Sequence, residues 1–161
     1  MSVSTDGQIC YGVAFPEEWE FPWMGDEYSN DIHDWWRTVC GFKPPFEIFN
    51  DKEEWIEPRP SDEKVEEYWD VIRKFDKEHP VPEVEVVNYC SCNSPMYIIA
   101  VKSSYRYNSR GYPEAFSPSD LTVTDKDRDS LLDFIGKYCM DGGEKDELKI
   151  EPKWYLSSYW G

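Results

Sequence analysis

Carboxylates dominate the chemistry this chain can offer. Eight of them (Asp6, Glu17, Glu18, Glu20, Asp26, Glu27, Asp31 and Asp34) precede the first basic residue, Arg37, and Trp19, Trp23, Trp35 and Trp36 lie among them. Two carboxyl groups beside aromatic rings are the equipment of a glycosidase cleft, where one protonates the leaving oxygen and the other attacks or activates water. Glu17, Glu18 and Glu20 stand in such surroundings. With 33 acidic side chains among 161 residues, however, acidic and aromatic neighbours also arise by chance. The pattern by itself assigns no acid/base pair.

The other reactive sets are thinner. Cys90 and Cys92 are separated by one residue, whereas zinc-binding pairs usually have about two to four between them. His33 and His79, the two histidines, sit in no ligand pattern. Cys40 follows His33 by nearly two helical turns and could share its face, but Cys40 also extends an apolar stripe that accounts for it without catalysis. There is no G-x-S-x-G elbow, no P-loop and no G-x-G-x-x-G phosphate cradle. The sequence therefore points to no catalytic set, no metal site and no cofactor.

Charge is the stronger signal. The net charge is -16, and residues 1–81 hold 20 acidic and 8 basic side chains against 13 and 9 in residues 82–161. Such a surface repels nucleic acid and anionic membrane and attracts basic protein surfaces. Asp62, Glu63, Glu66, Glu67 and Asp70 fall on a helix whose successive turns place carboxylates ~6 Å apart, close to the phosphate spacing along a nucleic-acid strand. That helix can present itself as a decoy to a nucleic-acid-binding protein, with Glu17, Glu18 and Glu20 as a second acidic patch. Trp19 and Trp23 are candidate anchors, because tryptophan among charges is a common composition at binding hot spots. A merely solvated helix face has the same composition.

The elements that would position these groups can be read from periodicity. Gln8 to Phe15 alternates, with Ile9, Tyr11, Val13 and Phe15 on one face, and predicts a half-buried strand ended by Pro16. Ile32, Trp35, Trp36, Val39 and Cys40 form the apolar stripe of a helix capped by Asn30 or Asp31 and stopped at Gly41. Ser61 opens the clearest helix, with Asp62 and Glu63 in the dipole-favoured first turn and Val65, Tyr68 or Trp69, Ile72 and Phe75 on its buried side. Glu83 to Cys90 and Met96 to Tyr107 read as a hairpin turned at Asn93-Ser94-Pro95. Met96 to Val101 is apolar on both faces and so central in its sheet. Pro118 starts a short helical turn, Thr124 and Asp127 frame a capping box, and Leu131, Leu132, Ile135, Tyr138 and Cys139 give the last helix its inner side. Trp154 to Trp160 is a final strand. The order predicts one α+β domain over residues 1–161, a small antiparallel sheet with about three helices packed on it.

Composition bounds the setting. Hydrophobic residues make up 40% and aromatics 17%, more than a disordered acidic chain carries. The odd cysteine count, five, suits a reducing cytoplasm, and no leader or membrane-spanning run is present. The blocks DGQICYGVAFPEEWEFPW, DIHDWWRTVCGFKPPFE, VVNYCSCNSPMYIIAV, RGYPEAFSPSDLTVTD and KWYLSSYWG together resemble small acidic proteins encoded by bacteriophages and prophages, a group with no assigned activity. The resemblance implies a host bacterial cytoplasm, where small non-enzymatic inhibitors of host defence, anti-CRISPR and anti-restriction proteins among them, are often acidic. The expectation is a protein that binds a basic, nucleic-acid-handling host protein and neither nucleic acid nor membrane directly. The alternatives are a small enzyme or ligand-binding protein with a carboxylate and aromatic pocket, and a virion or assembly component.

Overall fold

In the computed structural model, residues 5–24, 32–49, 54–91, 94–143 and 148–160 are described. They form an α+β fold of three helices and a five-stranded, mostly antiparallel sheet. By compactness the chain divides into two units, Met1–Pro22 with Pro82–Gly161, and Trp23–Val81.

The first unit is built around one shared strand. β1 (Thr5–Ala14) runs antiparallel to β5 (Lys153–Trp160) along one edge, from Thr5 opposite Trp160 to Gly12 opposite Lys153. Its other edge is divided. Gly7 to Ile9 pair with β4 (Arg106–Asn108), and Gly12 to Ala14 pair with β3 (Ser94–Val101). β3 also forms a hairpin with β2 (Val84–Ser91), and the end of β2 meets the end of β5 in a parallel ladder of two pairs, Cys90 with Tyr159 and Ser91 with Trp160. These pairings close β1, β5, β2 and β3 into a ring, and β4 extends it at β1.

Inside the ring, Cys10, Val87, Ile98 and Ala100 form a buried cluster, with Ala14, Tyr89, Tyr105 and Tyr155 packed on it. Burial pushes the Cys10 thiol up to about 11. The outer face of β3 carries Ile99 and Val101, and α3 (Asp125–Tyr138) packs on that strand with Leu131, Phe134 and Ile135 buried. Thr124 caps α3 through the predicted box: its hydroxyl accepts from Asp127 N–H, and Asp127 accepts from Thr124 N–H. The hydrogen bonds from Thr124 hold the Asp127 carboxyl below its ordinary value.

Three expectations are revised here. β1 is not half-buried throughout, because Cys10 on one face and Val13 on the other are both inaccessible; closure of the ring encloses the face of Cys10 and Ala14 that alternation had left to solvent. The expected strand to Tyr107 breaks at a 3₁₀ turn, Lys102–Ser104, before resuming as β4. Ser94 and Pro95 belong to β3 rather than to the hairpin turn, and Asn93, the remaining residue of the expected turn, lies outside the described residues. The expected cap at Asn30 or Asp31 also lies outside them.

In the second unit, α1 (Ile32–Val39) and α2 (Asp62–Glu78) are tied by Arg37, which donates through Nε and Nη2 to the two Asp76 carboxylate oxygens at 2.7 Å each and also pairs with Asp34. Aromatic contacts do much of the remaining packing: Trp23 with Trp35 (5.2 Å between centroids), Phe42 with Phe75 (4.8 Å) and Phe46 with Tyr68 (6.0 Å). Trp55 is half-buried, against Phe49 and under the Arg59 guanidinium.

Two outcomes test this architecture. A Cβ at Gly12 would overlap the Ile99 carbonyl oxygen and come 2.7 Å from Ala100 Cα, whereas one at Gly7 would meet nothing. Gly12→Ala is expected to cost about 2–4 kcal/mol in urea unfolding and Gly7→Ala less than about 1 kcal/mol. The second concerns pH. The hydrogen bonds from Arg37 hold the Asp76 carboxyl below its ordinary value, so the pair stabilises the fold above the unfolded-state value and that contribution is lost as pH falls through the folded one. Because the pair is partly exposed, Asp76→Asn should cost only ~0.5–1 kcal/mol at neutral pH. The gap from wild type should close as urea titrations are carried from about pH 6 to below about pH 3.

Candidate acidic interface

α2 places its carboxylates by ordinary helix chemistry. Ser61 caps it, its hydroxyl accepting from Lys64 N–H at 3.4 Å, and Asp62 and Glu63 occupy the first turn, where the helix dipole favours negative charge. The apolar positions turn inward: Ile72 is buried, and Val65, Tyr68 and Phe75 are half-buried. The stripe resolves to Tyr68 rather than Trp69, which is 38% exposed. The opposite side holds Asp62, Glu63, Glu66, Glu67 and Asp70, all exposed. Every carboxylate expected on this helix therefore faces solvent.

The face is not uniformly charged. Arg73 donates from Nη2 to Glu66 Oε1 at 2.6 Å and to Asp70 Oδ1 at 2.7 Å, which partly neutralises and also orders those two groups. The same bonds raise the Arg73 guanidinium above its ordinary value. Asp62, Glu63 and Glu67 make no ion pair among the described residues. From Asp62 to Asp70 there are five acidic residues and one basic residue, Lys64; from Val71 to Glu78 there are two acidic and three basic. The negative potential is thus concentrated on the N-terminal half of α2.

Glu17, Glu18 and Glu20 are exposed in the first unit, on the loop after β1. Glu18 has a left-handed backbone (φ 67), and Trp19 N–H donates to Pro16 O across the turn. This reversal puts the Glu17 and Glu18 side chains outward and sends Trp19 inward. Trp19 is 4% exposed, donates its indole N–H to Cys139 O at 3.0 Å, and packs on Phe15. Trp23 is 3% exposed and lies against Trp35. Both are core residues, so the expectation of surface anchors does not hold. The spacing of tryptophans among charges misled because the acidic neighbours point outward while the rings fill the interior.

The groups that favoured an enzyme are exposed, each on its own unit. Glu17, Glu18 and Glu20 belong to the first unit, His33 and Asp34 to the second; His33 and Asp34 are exposed, and Asp34 is bound by Arg37. Burial pushes the Cys139 thiol up to about 12, as it raises Cys10, so neither is an activated nucleophile. Cys10, Cys40, Cys90 and Cys139 are free thiols, and Cys92 lies outside the described residues. Among the described residues no group of three His, Cys, Asp or Glu side chains could hold a metal ion. None of the helices among them is long and apolar enough to cross a membrane.

Two features were not anticipated. Leu156 and Trp160 on β5 are 84% and 54% exposed, in a strand read only as structural. On the ring's inner face, Gln8 and Ser157 stand directly opposite one another, each with a buried side-chain oxygen that has no hydrogen-bond partner among the described residues. The signal for the second lay in the alternation of β1, which puts Gln8 on one face with Cys10, Gly12 and Ala14.

No protein-family model, curated protein or solved structure matches this chain.

Burial of Trp19 yields a test that separates core from interface. Trp19→Phe removes a buried hydrogen bond and part of the ring, and should cost about 1–3 kcal/mol in denaturant unfolding. The folded variant is expected to bind any partner of the acidic face as wild type does, by titration at matched salt.

Proposed function

We propose that this protein is a non-enzymatic binding protein that docks the acidic face of α2 on the basic surface of a nucleic-acid-handling host protein and blocks it. The observation that carries this reading is the outward placement of all five carboxylates over the N-terminal half of one helix. They stand on a rigid scaffold at spacings of ~6 Å per turn. Exposed charge predominantly of one sign suits electrostatic docking and steering of an oppositely charged protein, whereas acid/base catalysis requires desolvated carboxylates.

Arg73 adds a second support. By bridging Glu66 and Asp70 it fixes two carboxylates that would otherwise sample many rotamers, so less side-chain freedom is lost when a partner's cations arrive. A phosphate backbone offers a basic groove the same thing, a row of anionic oxygens on a stiff support. The exposed Glu17, Glu18 and Glu20 provide a second acidic patch of the same kind in the other unit. The setting that accompanies this proposal is a bacteriophage protein acting in a bacterial host cytoplasm, with host defence enzymes as the partner class.

Replacing Glu63, Glu66, Glu67 and Asp70 together by Lys tests the assignment. Tagged wild-type protein is expected to retain basic nucleic-acid-binding proteins from host lysate at low salt and to release them at high salt. The reversed variant should retain none of them, while its thermal midpoint stays within about 5 °C of wild type, since surface pairs contribute little. Unchanged retention by the folded variant would remove α2 as the interface, and retention insensitive to salt would remove a charge-led mechanism.

A further inference from the structure

The ring in the first unit lacks most of one seam. β2 and β5 run parallel and share only two pairs, at Cys90 with Tyr159 and Ser91 with Trp160. Before those pairs, neither strand has a ladder partner on the side facing the other among the described residues. Which backbone groups are left over follows from the neighbouring ladders, because opposite residues in an antiparallel pair alternate between bonded and unbonded. Tyr11 N–H donates to Ser104 Oγ, on the side of β1 away from β5. Tyr11 is paired with Trp154, so Trp154 and, two residues on, Leu156 turn their N–H and C=O away from β1. On β3, Tyr97 O accepts from Phe15 N–H and so points toward β1. Tyr97 is paired with Asn88, so Asn88 and Val86 turn theirs away from β3. The two strands thus offer donors and acceptors across one gap, Trp154 and Leu156 on one side, Val86 and Asn88 on the other.

The β5 side of the gap is unguarded. From Trp154 to Trp160 there is no proline and no charged side chain, and the register with β1 runs without a bulge. Folds normally protect an open edge with one of those devices, because unpaired N–H and C=O groups recruit another strand. Leu156 is 84% exposed, so this edge is open to solvent. Beside it lies a hollow of about 550 Å³, lined on its inner side by Ala14, Tyr89, Met96, Ile98 and Tyr155 and reaching Leu156 at the edge of β5. No charged side chain lines it.

We infer that this gap is a strand-acceptor site, filled by an extended segment of a partner protein that pairs with Leu156 on one side and with Val86 and Asn88 on the other. Only another extended backbone can meet alternating N–H and C=O groups on both sides at once. Successive side chains of a strand point to opposite faces, so every second residue of the segment enters the hollow. Those residues are apolar, since nothing in the lining would offset the desolvation of a charge. A second copy of this chain is the poorer occupant, because each copy carries -16 and would bring like charge to the seam. The segment is therefore neutral or basic overall. The site belongs to the other unit from the acidic face of α2 and stands or falls separately from it.

Amide exchange followed by NMR should find the N–H groups of Leu156, Val86 and Asn88 unprotected in the free protein. That of Tyr155, which alternation bonds to β1, should be protected. A displayed library of random peptides of about ten residues, selected on the immobilised protein, should yield peptides with apolar residues at alternate positions and no excess of Asp or Glu. Synthetic copies should bind one-to-one with a dissociation constant of about 100 μM or tighter. They should slow exchange at Leu156, Val86 and Asn88 by at least about tenfold. Leu156→Pro removes an N–H that β1 does not use, the kind of edge position where a strand tolerates proline; it should fold and bind the peptides at least about tenfold more weakly. The site is overturned by a library that yields no alternating peptide, by protection that falls elsewhere, or by full affinity in folded Leu156→Pro. Protection of the three amides in the free protein overturns it too, and a dimer in sedimentation equilibrium would then assign the gap to a second copy. Should Leu156→Pro fail to fold, the wild-type protection pattern with and without peptide decides the matter.

Discussion

The sheet depends on β1 changing partners in mid-strand. Between Ile9, which faces Arg106, and Gly12, which faces Ala100, β1 spends two residues while the opposite chain spends five. The excess is taken up by the Lys102–Ser104 turn. A backbone N–H at such a break would be left without a ladder partner, and buried orphans of that kind are rare. Ser104 fills the gap: its hydroxyl accepts from Tyr11 N–H at 2.9 Å and donates to Val101 O at 2.6 Å, and the side chain is only 3% exposed. One residue later the backbones of β1 and β3 approach so closely that only glycine fits, at Gly12. The hydroxyl and the missing side chain together let one strand serve three neighbours, which is what closes the ring and creates its interior.

The second unit obeys a different rule. α1 has no buried residue and α2 has one, Ile72. Trp23–Val81 also holds 16 acidic and 8 basic side chains, a denser negative charge than the rest of the chain. A thin core and self-repulsion would leave such a unit marginal. Half-buried aromatic rings remove much apolar area per residue. The bidentate Arg37–Asp76 pair joins α1 to α2, and carboxylates crowded at the start of α2 are balanced by the dipole and by Arg73. The exposed acidic face is therefore compatible with folding, although none of these contacts requires Glu63 or Glu67 to be acidic.

Much of the scaffold was legible in the sequence, and the reasons are local. Ser61, Thr124 with Asp127, and Pro118 mark their helix starts because a cap is made within three or four residues of itself. The apolar run Met96–Val101 identified a central strand because both faces had to be covered. The acidic face of α2 followed from i, i+4 spacing. What escaped was long-range. Trp19 belongs to the core because of Cys139, 120 residues away, and because Gly142 and Gly143 leave room for its ring; no spacing rule carries that information. Closure of the ring through Cys90 and Tyr159, the break at Ser104 and the pairing of Gln8 with Ser157 are contacts of the same kind.

The two polar arrangements differ in what they imply about selection. Carboxylates on an exposed helix cost almost nothing to keep, so their presence is weak evidence of use; only their one-sided clustering argues for a partner. A glutamine oxygen and a serine hydroxyl left unpaired inside a ring of strands are costly, and a leucine or alanine at either position would relieve that cost without disturbing the ladder. Gln8 stands on the same face as Cys10 and Ala14, where small or apolar side chains suit the interior. Stability alone therefore gives no reason for an amide at Gln8 or a hydroxyl at Ser157.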